Sequence, residues 1–109
     1  LIFRALIMNT HLLALKDLSQ NRLKSLINRA MALKRESAEG IRHQQLAGRR
    51  IILLFDKPST RTRVSFEAAM YGLGGQVIFM SSKESQLTRG EPLKDAARVL
   101  ARYVDGIVV

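Results

Sequence analysis

Ser59, Thr60, Arg61, Thr62 and Arg63 put three hydroxyls and two guanidinium groups in consecutive positions of the stretch FDKPSTRTRVSFEAAM (55–70). An apolar run precedes them and a helical pattern follows. Hydroxyls, guanidinium N–H groups and the unpaired backbone N–H groups of a helix start are all donors, and donors converging on one point suit an anion. A planar guanidinium adds a fork that matches two phosphate oxygens. Arginine in a first helical turn opposes the helix dipole by up to about 1 kcal/mol. Two such residues together point to an anion that offsets the cost. Ser59 or Thr60 taken alone reads as an ordinary N-cap, with Arg61 and Arg63 on a solvated turn; the five together do not. Pro58 stiffens the approach by fixing its own φ. The glycines and the Lys-Ser/Thr pair of a Walker loop are absent, which disfavours nucleoside triphosphate chemistry. Arg61 is expected to face the anion. Arg63, two positions further round, is expected not to.

The elements that must hold this turn can be read from periodicity. Ser19 caps a helix running to about Ser37, with Leu23, Leu26, Ile27, Ala30 and Met31 on one face and Gly40 as its stop. The unbroken run IILLF (51–55) reads as a strand buried on both faces. From Thr60 the period is helical, with Val64, Ala68 and Tyr71 on one track and Phe66, Ala69, Met70 and Leu73 close by, and GLGG (72–75) ends it. QVIFM (76–80) is a second strand, SSKESQLTRGEP (81–92) a polar loop, LKDAARVLARYV (93–104) an amphipathic helix through Leu93, Ala97, Leu100 and Val104, and GIVV (106–109) a third strand. Strand and helix in alternation predict an α/β fold, a parallel sheet with flanking helices joined by right-handed crossovers. The donor-rich turn then lies at the carboxyl end of a strand, where open α/β sheets bind ligands.

The 109 residues correspond to one domain at most, and the apolar last strand predicts that the sheet continues past Val109. Met8 is a candidate start, with residues 1–7 an upstream extension. There is no cysteine, and two separated histidines, His11 and His43, have no metal-ligand spacing. A reducing, cytoplasmic setting is expected, with no metal and no membrane span. The net charge is +9, and the excess lies in residues 1–50, with ten Lys/Arg against three Asp/Glu. A basic nucleic-acid-binding module would explain that bias. Only six aromatics are present, none interleaved with the basic run, and no nucleic-acid motif occurs. Glu67 and Asp95 read as helix-face carboxylates that pair locally, His11 and His43 as surface or loop residues, and Arg98 and Arg102 as a solvated stripe or subunit contact.

STRTR after a buried strand, followed by SQLTRGEPLKDAARVL (85–100), resembles the aspartate/ornithine carbamoyltransferase family over nearly all of residues 11–109. The resemblance implies that this chain is part of the carbamoyl-phosphate-binding domain, and that a second, amino-acid-binding domain lies outside it in a protein near three times as long. It implies that Ser59, Thr60, Arg61 and Thr62 hold carbamoyl phosphate, Arg61 serving the leaving phosphate and Thr62 the carbonyl oxygen as the catalytic pair. Gln86 matches a glutamine that contacts carbamoyl phosphate from a loop reaching a neighbouring subunit, which implies a homo-oligomer, a trimer or a multiple of one. Ser85 is shared with the aspartate branch, but Arg89 stands where that branch commonly has lysine. Gln86 and TRGEP therefore favour ornithine as acceptor, with aspartate the alternative. Ala96 departs from a common threonine. The implied reaction, part of arginine metabolism, is carbamoyl transfer to the δ-amine of ornithine, giving citrulline and phosphate without metal or organic cofactor. The chain alone is expected to be inactive.

Overall fold

The computed structural model describes residues 11–81 and 93–109, which fall into two units divided between Ile41 and Arg42. The first unit holds a 3-10 turn, Leu15–Asp17, and the helix α1, Gln20–Ala38. Ser19 caps α1, its Oγ accepting from the backbone N–H of Arg22 at 3.2 Å. At the other end Gly40 takes φ 76°, a left-handed conformation that glycine adopts without steric cost. Its N–H donates to Ser37 O, and the Ile41 N–H to Glu36 O, the paired bonds of a Schellman motif. Both expected ends of this helix are present.

The second unit is a three-stranded parallel sheet with two helices. In chain order it comprises β1 (Arg50–Phe55), α2 (Thr60–Gly72), β2 (Gln76–Ser81), α3 (Leu93–Tyr103) and β3 (Gly106–Val108). The strand order is β2-β1-β3, with Leu53 opposite both Phe79 and Val108. Three consecutive residues of β1, Ile52, Leu53 and Leu54, are buried. Alternate residues of a strand point to opposite faces, so burial without alternation means that both faces are covered. β2 and β3 flank β1 on opposite sides, and right-handed crossovers in opposite directions place α2 and α3 on opposite faces of the sheet. Met70 of α2 and Ala96 of α3 complete the buried apolar set. A small residue suits Ala96's enclosed position.

The helices exist where the periodicity puts them, but the buried face of α2 is turned by one position. Val64 and Tyr71 are exposed, while Arg63, Glu67, Met70 and Leu73 are partly or fully buried. The reason is electrostatic. Arg63 and Glu67, one turn apart, neutralise each other and so can occupy an inward face that the apolar pattern assigned elsewhere. In α3 the expected track holds at Leu100, and at Val104 just past the helix end, both half-buried, but Ala96 is enclosed in place of Ala97, which stays exposed.

The end of the sheet away from the donor-rich turn is fastened by Asp105. One carboxylate oxygen accepts from the Arg50 backbone N–H at 2.9 Å and the other from Arg49 Nη1 at 2.8 Å, while the Asp105 N–H donates to Arg50 O. The bond from the Arg50 backbone, and then that from Arg49, holds the Asp105 carboxyl below the usual carboxylate range. β1 and β3 are thereby fixed at their amino ends. His43, expected at the surface or in a loop, lies in the irregular segment 41–44 but is only 9 % exposed, with Gln45 Nε2 at 2.9 Å from its Nδ1. Among the described residues no helix is long and apolar enough to cross a membrane, and no cluster of three or more His, Asp or Glu could hold a metal ion.

Candidate functional site

The chain leaves β1 at Phe55, turns through Asp56, Lys57 and Pro58, and enters α2 at Thr60. A cavity of about 530 Å³ opens over the carboxyl ends of β1 and β2, bounded by residues 55–60, by Arg63, Val64 and Glu67 of α2, and by Phe79 and Ser81 of β2. Its floor follows from strand register. Phe55 pairs with Ser81, and Phe79 lies opposite Leu53 two residues earlier, so two parallel strands end side by side under one turn.

Ser59 occupies the N-cap position of α2 but does not cap it. Its hydroxyl donates to Thr62 Oγ1 at 2.9 Å, and no side-chain bond reaches the helix N–H groups. The first intrahelical bond, Arg63 N–H to Ser59 O at 2.9 Å, is formed. The N–H groups ahead of it are left by geometry to whatever enters the turn. The ordinary capping explanation for Ser59 therefore fails here, and the donor character of the turn stands.

The two arginines meet different surroundings. Arg63 donates from Nε to Glu67 Oε1 at 3.0 Å, and its Cζ lies 3.7 Å from the centroid of the Phe79 ring. Phe79 is held in turn by Phe55, edge to face at 6.1 Å between centroids. An i,i+4 ion pair contributes about 0.3–0.5 kcal/mol and a partly exposed cation–π contact about 0.5–1 kcal/mol. Together they offset the cost of up to about 1 kcal/mol for an arginine near a helix amino terminus. Arg61 is exposed and makes no such pair with the described residues. Its unfavourable position is uncompensated within the described chain.

The structure brings Ser59, Thr60, Arg61 and Thr62 together on one turn. Ser59 and Thr60 line the cavity, whereas Arg61 and Thr62 stand exposed beside it. Gln86 lies outside the described residues. Arg63, expected to face away from the anion, is in the cavity wall with its charge engaged by Glu67. Sequence reasoning did not include Glu67, Phe79 or Ser81 in the site. The i,i+4 spacing of Arg63 and Glu67 was the one available signal, and Phe79 is reached only through the pairing of β1 with β2.

A buried parallel strand, a donor-rich turn and an uncapped helix start make an α/β domain with a turn chemically suited to an anion. The family model for the carbamoyl-phosphate-binding domain of aspartate/ornithine carbamoyltransferase matches residues 10–109, and the chain belongs to that family. It is 64% identical over 102 residues to an ornithine carbamoyltransferase of Desulfotalea psychrophila, covering 94% of this chain and 34% of that protein. The ornithine carbamoyltransferase structure from Pyrococcus furiosus superimposes with a TM-score of 0.82 at 42% identity, covering 86% of this chain and 30% of that one. The catalytic subunit of M. jannaschii aspartate transcarbamoylase gives a TM-score of 0.80 at 36% identity, over 89% of this chain and 32% of that one. The chain thus spans about a third of the length of the relatives it matches.

Proposed function

We infer that the protein carrying this chain transfers the carbamoyl group of carbamoyl phosphate to the δ-amine of ornithine, and that this chain supplies the phosphate-binding half of the site. The observation that carries the reading is the uncapped turn. Ser59 turns its hydroxyl to Thr62, which leaves the first N–H groups of α2 without a side-chain cap at the edge of the cavity, with Arg61 exposed beside it. The neutral amine attacks the carbamoyl carbon, the carbonyl oxygen becomes an oxyanion in a tetrahedral intermediate, and the bond to the bridging oxygen breaks to release phosphate. One amine proton leaves with the phosphate. Thr62 donates to the oxyanion, and Arg61 holds the phosphate and its bridging oxygen as charge develops there. Chemistry of this kind rests on positioning and on fixed donors aimed at the developing charge. Gln86 completes the phosphate contacts from a neighbouring subunit.

Aspartate as acceptor is the second reading, favoured by the nearly equal superposition on an aspartate transcarbamoylase. Product identity decides between them. The whole protein, supplied with carbamoyl phosphate and either amino acid, is expected to form citrulline and no carbamoyl aspartate. Carbamoyl aspartate as the product would overturn the choice of ornithine.

A further inference from the structure

Two carboxylates line the cavity, Asp56 beside Lys57 in the turn and Glu67 on α2, in a wall whose other polar groups suit an anion. Glu67 lines the same space as Ser59 and Thr60 and lies one helical turn beyond Arg63. A bare carboxylate there would repel phosphate, and Arg63 answers it directly through the 3.0 Å bond from Nε to Glu67 Oε1. The Arg63 guanidinium also lies over the Phe79 ring at 3.7 Å, with Phe79 braced by Phe55. These contacts engage its Nε and one of its faces, and they span from α2 to β2. A group held in this way on two sides is poorly placed to follow a substrate.

We propose that Arg63 is a positioning residue that screens the Glu67 carboxylate from the bound anion, with Phe79 fixing the guanidinium in place, and is not itself a phosphate ligand. The inference rests on the reading that the cavity takes carbamoyl phosphate, and it assigns separate tasks to two arginines of one turn. Arg61 meets the anion. Arg63 neutralises Glu67 in the α2 wall.

Inorganic phosphate titrated calorimetrically into the whole protein tests this with four forms: wild type, Arg63→Met, Glu67→Gln and the double variant. Arg63→Met is expected to weaken binding on the order of ten-fold, the effect of one unscreened carboxylate several ångströms away at intermediate dielectric. Glu67→Gln is expected to tighten it a few-fold, since Arg63 then stands unopposed. The double variant should return to within about three-fold of wild type, because the Glu67 charge that Arg63 screens is gone together with Arg63. A lost phosphate ligand would not be restored by neutralising Glu67. A double variant as weak as Arg63→Met, or an Arg63→Met protein with wild-type affinity, overturns the inference. If Arg63→Met does not give a native circular dichroism spectrum, Glu67→Gln alone decides, and unchanged or weaker binding in that variant counts against the proposal. Failure of the wild type to bind phosphate overturns the reading of the cavity itself, which separates the two claims.

Discussion

Arg61 and Arg63 show how little residue type says about role when two identical side chains share a helical turn. One is exposed beside the cavity; the other is bonded to Glu67 and stacked on Phe79. Asp105, at the far end of the sheet, offers a residue whose contribution depends on pH in a known direction. Its folded pKa is lowered, first by the Arg50 backbone N–H and then by Arg49. The folded protein therefore binds fewer protons than the unfolded one near that pKa. The stabilisation is fully present above the ordinary carboxylate value of about 3.9 and is lost as pH falls through the lowered folded value. Arg49 and Asp105 are each about two-fifths exposed at the side chain, so the ion-pair part is worth no more than about 1 kcal/mol. Asp105→Asn should lower the urea midpoint at pH 7, and the gap to wild type should narrow as pH drops below about 4. A gap that widens in acid would contradict this assignment. The donor turn was legible because five telling residues are adjacent in sequence. Asp105 was not, since its partners lie 55 and 56 residues away.

At the scale of elements, every strand and helix of the second unit was legible from period and turn residues, but the inward face of α2 was not. The apolar track through Val64 and Tyr71 is exposed, and a self-neutralised pair occupies the inward side instead. Hydrophobic periodicity has no means of registering that a paired arginine and glutamate can take the inward side of a helix while half-buried. Helix ends make a sharper comparison. Gly40 and Gly74 both take positive φ at a Schellman end, at 76° and 84°, but only at Gly74 would an added Cβ meet a neighbour, the side-chain oxygen of Gln44. Gly40→Ala should cost the backbone penalty alone, about 1–2 kcal/mol. Gly74→Ala should cost somewhat more, because the end of the Gln44 side chain must move aside as well. Equal losses in chemical denaturation would show that Gln44 yields freely.

For the molecule as a whole, the pattern predicted a parallel sheet but not which side of β1 would receive β3, because a local pattern does not specify an edge. The sheet order β2-β1-β3 settles that. The proposed oligomer extends the argument to sites shared between copies. If Gln86 serves a neighbour's site, inactive Arg61→Ala and inactive Gln86→Ala proteins that are mixed, unfolded and reassembled should regain activity. In a closed ring with equal amounts of each, roughly a quarter of sites draw an intact turn from one chain and an intact loop from the next. Hybrids shown by mass spectrometry to contain both chains, yet inactive, would mean that Gln86 serves no neighbouring site.

The central claim is that the turn at 59–62 holds carbamoyl phosphate through its transfer, and Arg61 is the residue on which that claim bears most directly. The measurement is the steady-state rate of citrulline formation from carbamoyl phosphate and ornithine by the whole protein and by its Arg61→Ala variant. Removing one donor aimed at developing charge costs about 2.7–4 kcal/mol of barrier, so the variant should lose on the order of 10²–10³ in kcat. An Arg61→Ala protein that forms citrulline at the wild-type rate would contradict the account.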